Sequence, residues 1–171
     1  MIVYVMRHAE AVEGSDTLPD EWRYLTEKGR LAAQKMSAAI ARYGPKSRLT
    51  ITSPLTRAVQ TAEIAAEKAC RKNVVIASPL LLPGADIYEL VGYIKSCKDA
   101  KRIMVVGHEP QLGLLVAALL GCSDSNITLK KGACVTLKCN ANAKAASFLW
   151  YLAPDKRRVT SFKKAFPQQP A

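Results

Sequence analysis

The sequence predicts an α/β fold: a three-layer α/β/α sandwich around a mostly parallel central sheet with a mixed edge. Three observations lead there. Short apolar runs rich in β-branched residues alternate with segments of helical periodicity, the pattern of successive βαβ units. Each of four such runs stops abruptly at polar or charged residues, as a buried parallel strand does at the edge of its sheet. Two later strand-like segments flank a small polar turn and read as a hairpin at one edge.

The opening run, Ile2-Val3-Tyr4-Val5-Met6, is the first strand, and it breaks directly into Arg7-His8-Ala9-Glu10. A polar loop, Val12 to Tyr24, follows. Thr26 is placed to N-cap a helix running to Tyr43, with Leu31, Ala32, Met36, Ala39 and Ile40 on one face and Gly44-Pro45 as the stop. Leu49-Thr50-Ile51-Thr52 is the second strand. Ser53 is a natural N-cap and Pro54 suits a first helical position, so a helix is expected from there to Ala69. Its Ala58, Thr61, Ala62, Ala65 and Ala66 are small enough to pack closely on a sheet.

Val74 to Ala77 is the third strand, followed by a loop from Ser78 to Asp86 and a helix to about Cys97. The fourth strand, Arg102 to Val106, ends in Gly107-His108-Glu109-Pro110 and is followed by an apolar helix, Gln111 to Leu120, with Gly121 as its stop. Ala133 to Leu137 and Ser147 to Leu152 are the hairpin strands, with their turn around Asn140-Ala141-Asn142. One domain is expected over residues 1–154, with a basic, flexible tail over 155–171.

Composition narrows the function. The longest apolar helix, Leu112 to Leu120, is half the roughly 18 residues that a membrane span needs, and no basic stretch precedes the N-terminal apolar run, so a cytoplasmic protein is expected. Five scattered cysteines without Cys-x-x-Cys spacing argue against a disulfide framework and a structural zinc site. A net charge of +11 predicts anionic partners. Aromatic content of 6%, with no basic-aromatic motif, argues against nucleic acid.

The two histidines of the chain, His8 and His108, both stand where a core strand ends. Arg7 adjoins the first, and Arg57 follows the second strand. Ligands bind at the carboxyl ends of parallel strands, so a doubly wound sheet can bring all four groups to one crevice. Two imidazoles and two guanidinium forks without a carboxylate cluster make a poor metal site and a good cradle for a phosphoryl group. Arg57 lies in the first turn of its helix, where a cation opposes the dipole; a shared bound anion would account for both. No metal and no cofactor are expected.

The motifs Met6-Arg7-His8-Ala9-Glu10-Ala11, Ser53-Pro54-Leu55-Thr56-Arg57-Ala58-Val59-Gln60-Thr61 and Val106-Gly107-His108-Glu109-Pro110 stand in the order of the histidine phosphatase superfamily, which includes the phosphoglycerate mutases. Jointly they identify the chain as similar to that superfamily. Its short length and its Leu82-Pro83-Gly84-Ala85-Asp86 loop most resemble the SixA-type phosphohistidine phosphatases. The resemblance implies a phosphoglycerate mutase-like fold and His8 as a nucleophile that becomes phosphorylated and is then hydrolysed by water. It implies Arg7, Arg57 and His108 as phosphate-binding groups, and no metal.

Ala9 stands where the family has glycine. Larger relatives carry a glutamate acid in a helical insertion for which Ser78 to Lys101 is too short, which leaves Asp86, Glu89 and Glu10 as possible general acids. The expected substrate is a phosphorylated protein, phosphohistidine in particular, because imidazole is an easier leaving group than an alkoxide and an uncapped site admits a protein side chain. Small phosphorylated metabolites are the alternative substrate. A non-catalytic phosphate- or nucleic-acid-binding module is the alternative from another class.

Overall fold

The computed structural model describes residues 1–71, 74–122, 127–140 and 143–167. Strands β1 (Ile2–Arg7), β2 (Leu49–Thr52), β3 (Val75–Ala77), β4 (Arg102–Gly107), β5 (Cys134–Lys138) and β6 (Ser147–Leu152) form one sheet in the order β3-β2-β4-β1-β5-β6. The first four strands in that spatial order are mutually parallel; β5 runs antiparallel to both β1 and β6. The mixed edge expected from the hairpin is therefore present, and helices flank the sheet as an α/β/α sandwich.

Alternation along β1 divides the core. Val3 and Val5 face one layer, with Ile103 and Val105 of β4 and Leu112, Leu115 and Val116 of α4 (Gln111–Leu120). Leu90 and Ile94 of α3 (Ile87–Ser96) join the same cluster. Tyr4 and Met6 face the other layer, against Met36 and Ile40 of α1 (Glu27–Tyr43) and the alanine stripe Ala58, Ala62, Ala65 and Ala69 of α2 (Thr56–Ala69). The small residues of α2 let the helix lie close to the sheet, as the sequence predicts.

Three local details differ from the sequence-based expectation. Leu31 is 50% exposed; the buried stripe of α1 runs instead through Gly29, Ala33, Met36, Ser37 and Ile40. Ser53 does not cap α2, which begins three residues later with Leu55 at its N-cap. Residues 155–167 do not trail away as a tail. Val159 exchanges two backbone hydrogen bonds with Tyr151, and α5 (Phe162–Ala165) leads to Phe166, which is buried against Phe148 and Tyr151. Aromatic side chains spaced through the basic segment hold it on the sheet. The turn expected around Asn140 to Asn142 lies partly outside the described residues.

Register sets up the site. Arg7 is level with Gly107, and Thr52 with Val106, so the three central strands end together. The residue after each strand continues the ladder: His8 N donates to Gly107 O at 3.0 Å, Ser53 N to Val106 O at 2.9 Å, and Ser78 N to Thr52 O at 2.8 Å. His8, Ser53 and His108 are thereby fixed side by side at the carboxyl edge. Among the described residues, no helix is long and apolar enough to cross a membrane.

Candidate active site

The two imidazoles meet at this edge, with ring centroids 5.0 Å apart and planes inclined at 53°. Both are buried, at 7% and 4% exposure. His8 Nδ1 lies 2.7 Å from the carbonyl oxygen of Ala9. A carbonyl can only accept, so Nδ1 carries the proton and Nε2 keeps its lone pair. Burial pushes the His8 pKa down to about 4; the Ala9 carbonyl opposes this, and the charges of Arg57, Arg7 and Lys131 add to it. At neutral pH the ring is uncharged, with one nitrogen free to react.

His108 Nε2 is 2.8 Å from Ser53 Oγ, and its Nδ1 is buried without a partner. Its pKa falls to about 3, chiefly through burial, with His8, Arg57 and Arg7 lowering it and Asp20 opposing them. A phosphoryl dianion against this ring would reverse that balance and favour the imidazolium.

Arg7 reaches across to Leu129 O at 2.8 Å through Nη1, while its Nε is buried and unpartnered. Arg57 is 5% exposed; its Nη1 donates to Asp20 O at 2.6 Å and its Nη2 to the Asp20 carboxylate at 2.9 Å. Asp20 opens a 3-10 turn, Asp20–Trp22, in the loop after β1, and its carboxylate also accepts from Arg23 at 2.9 Å. The hydrogen bonds from Arg23 and from Arg57 hold that carboxyl below its usual range. Unpaired donors on buried cations are the groups an anion satisfies.

The second motif braces the first. Thr61 Oγ1 accepts from Ala9 N at 3.1 Å and donates to Arg57 O at 2.7 Å, and Gln60 Oε1 accepts from Leu25 N at 2.8 Å. Gly29, in the first turn of α1, presses on the same loop: a Cβ there would lie 2.0 Å from the Glu10 carbonyl oxygen. Ala9 is fully buried, and Lys101 is the single non-glycine residue with positive φ among the described residues. Position 9 therefore has ordinary backbone geometry and accepts alanine.

The carboxylates singled out in the sequence are otherwise engaged. Glu10 pairs with Lys28 at 3.3 Å and accepts from Thr26 at 3.2 Å; Lys28 first, then Thr26, holds its carboxyl low, the wrong direction for a proton donor. Asp86 caps α3, accepting from Tyr88 N at 2.7 Å, and Glu89 is exposed on that helix. Sequence reasoning missed Asp20, Ser53 and Glu109 as members of the site. Glu109 accepts from Leu129 N at 2.9 Å while Arg7 donates to Leu129 O, so the two side chains grip the backbone of one residue on either side of its Cα and orient the guanidinium. Among the described residues, no three His, Cys, Asp or Glu side chains converge to hold a metal ion.

A parallel sheet that delivers two uncharged imidazoles and two arginines to one edge defines a phosphate-handling α/β enzyme. The sequence model for the histidine phosphatase superfamily (branch 1) matches residues 3–79. An uncharacterized protein of Picosynechococcus sp. (strain PCC 7002) is 30% identical over 145 residues, 82% of this chain and 87% of that relative. The protein histidine phosphatase SixA, in its complex with tungstate, superposes with a TM-score of 0.80 at 24% identity, over 90% of this chain and 97% of SixA. A putative alpha-ribazole-5'-P phosphatase from Escherichia coli superposes with a TM-score of 0.64 at 18% identity, over 86% and 94% of the two chains. The chain belongs to the histidine phosphatase superfamily, and its class of activity is phosphate hydrolysis.

Proposed function

We propose that this protein is a phosphohistidine phosphatase, hydrolysing phosphohistidine on a protein by way of a phosphorylated His8. The observation that carries the protein-substrate reading is the short connection between β3 and β4. The chain between β3 and β4 is taken up by two 3-10 turns, Pro79–Leu81 and Lys98–Ala100, and by α3, whose Leu90 and Ile94 are buried in the core beside α4, which leaves no helical insertion to cap His8. Trp22, Tyr24 and Tyr88, on segments that follow the carboxyl ends of β1 and β3, are 69%, 49% and 79% exposed. Exposed aromatics beside a polar site suit protein recognition.

In the first step, the His8 Nε2 lone pair attacks phosphorus in line with the substrate's P–N bond. A new P–N bond forms to His8 as the old one breaks. The departing imidazole keeps a proton on its distal nitrogen and leaves neutral, so no side-chain acid is required at the scissile nitrogen. This matches Glu10 and Asp20, whose carboxyls are held low; burial raises the Glu109 carboxyl, which is engaged by the amides of Leu129 and Gly113. Arg7, Arg57 and His108 neutralise the phosphoryl oxygens, the term that dominates such transfers. In the second step, water attacks phosphorus, the His8 bond breaks, and inorganic phosphate leaves.

Acid-labile ³²P trapped on the protein tests the covalent step: label is expected on wild type and absent from His8→Ala. Kinetics on a phosphohistidine peptide and on glycerol phosphate test the substrate class. Equal or faster turnover of the ester would overturn the phosphoprotein reading.

A further inference from the structure

Along the flank of α1, at the margin of its buried stripe, two clefts join into one groove. The larger, of about 550 Å³, is lined on its apolar side by Met36, Tyr43 and Leu152. Lys35, Lys156, Arg157 and Arg158 stand around it, and its lining residues include no carboxylate. The second, of about 410 Å³, shares Lys35 and Pro154 with the first and extends past Leu31 to Lys28 and to Glu27, the one carboxylate in the lining of the two clefts. Leu31 and Tyr43 remain 50% and 38% exposed, and the Arg158 guanidinium lies 4.5 Å from the Tyr43 ring centroid. Apolar contact area at the bottom and cations along the rim are the two halves of a site for an acidic, amphipathic segment.

The groove leads to the reacting histidine. Lys28, at its upper end, pairs with Glu10, two residues after His8. Pro154, shared by both clefts, packs against Gly132, whose amide donates to His8 O at 3.0 Å. From Lys28 to Tyr43 the helix axis covers about 22 Å at 1.5 Å per residue. That length suits several turns of helix or a short extended strand, and exceeds what a small phosphate ester needs.

We infer that this groove docks an acidic segment of the phosphoprotein substrate, placing its phosphohistidine over His8; the inference rests on the phosphoprotein reading above. The basic segment after Pro154, folded back by its own aromatics, supplies three of the cations for that purpose.

Two phosphohistidine peptides with one common reactive core test it, one with an amphipathic flank of about 15 residues carrying glutamates and the other with glutamines in their place. For wild type at low salt, the acidic peptide is expected to show KM about tenfold lower at similar kcat, with the advantage lost in 0.5 M NaCl, where about 4 Å of Debye length remains. Lys35→Glu combined with Arg157→Glu should abolish the advantage and leave turnover of the neutral peptide unchanged. Fluorescence anisotropy with the unphosphorylated acidic flank reads docking without catalysis. Equal KM for the two peptides, or equal loss on both in the double variant, overturns the groove and leaves the phosphoprotein reading standing. Binding of the flank with turnover of neither peptide overturns that reading and leaves the groove. A labelled single-stranded oligonucleotide that binds more tightly than the acidic flank, and is lost in the double variant, overturns the choice of partner.

Discussion

Lowering the pH should weaken this protein through its two buried imidazoles, and His8 shows by how much. Its pKa falls from 6.5 to about 4 in the folded protein, mainly because burial disfavours the charged ring. At pH 7 the charged fraction is then about one in a thousand, against about one in four for an unperturbed ring. Between pH 6.5 and pH 4 the unfolded chain binds a proton that the folded site refuses, so stability falls as pH drops through that window. The displacement corresponds to about 3 kcal/mol at 1.36 kcal/mol per pH unit, all of it retained above pH 6.5 and lost by pH 4. Urea unfolding at pH 7.5, 6.5, 5.5 and 4.5, in wild type and in His8→Asn, measures it. The variant should lose about 2.5 kcal/mol less between pH 7.5 and pH 4.5. NMR of the ring should show a proton on Nδ1 at pH 7 and titration near pH 4. Parallel loss of stability in the two proteins, or a ring that titrates near 6.5, would refute the account of a buried, uncharged His8.

Arg57→Ala should lower kcat by about 10²–10³-fold, since it removes one preorganised cation from the phosphoryl pocket, while thermal unfolding shifts little because its partner Asp20 carries a carboxylate that is 59% exposed. Thr61→Val keeps volume but strands the buried amide of Ala9, and should cost about 2 kcal/mol in chemical denaturation together with a fall in kcat. Gly29→Ala sets a methyl carbon 2.0 Å from the Glu10 carbonyl oxygen, so helix or loop must shift; a loss of about 1–3 kcal/mol and a lower kcat are expected, read by urea titration and steady-state kinetics. Incubation with EDTA should leave kcat unchanged, because arginines and an imidazole supply the charge neutralisation.

The strand exits were legible because a buried strand writes its end plainly: Val5-Met6 into Arg7-His8, and Val106-Gly107 into His108. In-register parallel pairing then does the rest, turning four separate sequence positions into one edge. What the sequence concealed depends on contacts without period. Asp20 reaches Arg57 across 37 positions from a loop with no repeating pattern, so nothing local marks it. Ser53 presents the signature of a helix cap, yet its hydroxyl faces His108 and accepts from Leu55 N at 3.3 Å, which delays the helix to Thr56. The basic segment after Pro154 has the charge of a tail, and charge count outweighs Phe162 and Phe166 when no packing partner is visible.

The hydrogen bond from His8 Nδ1 ends on a backbone carbonyl, and a backbone acceptor survives every side-chain substitution at position 9 that preserves its ordinary φ. A neutral acceptor also lends the ring less basicity than a carboxylate would. In the proposed cycle His8 is first an attacking group and then the group expelled by water. A ring that binds protons weakly gives up phosphorus more readily in that second half. The arrangement trades some attacking strength for rapid release, and so suits an enzyme that must pass its phosphoryl group to water and be ready again.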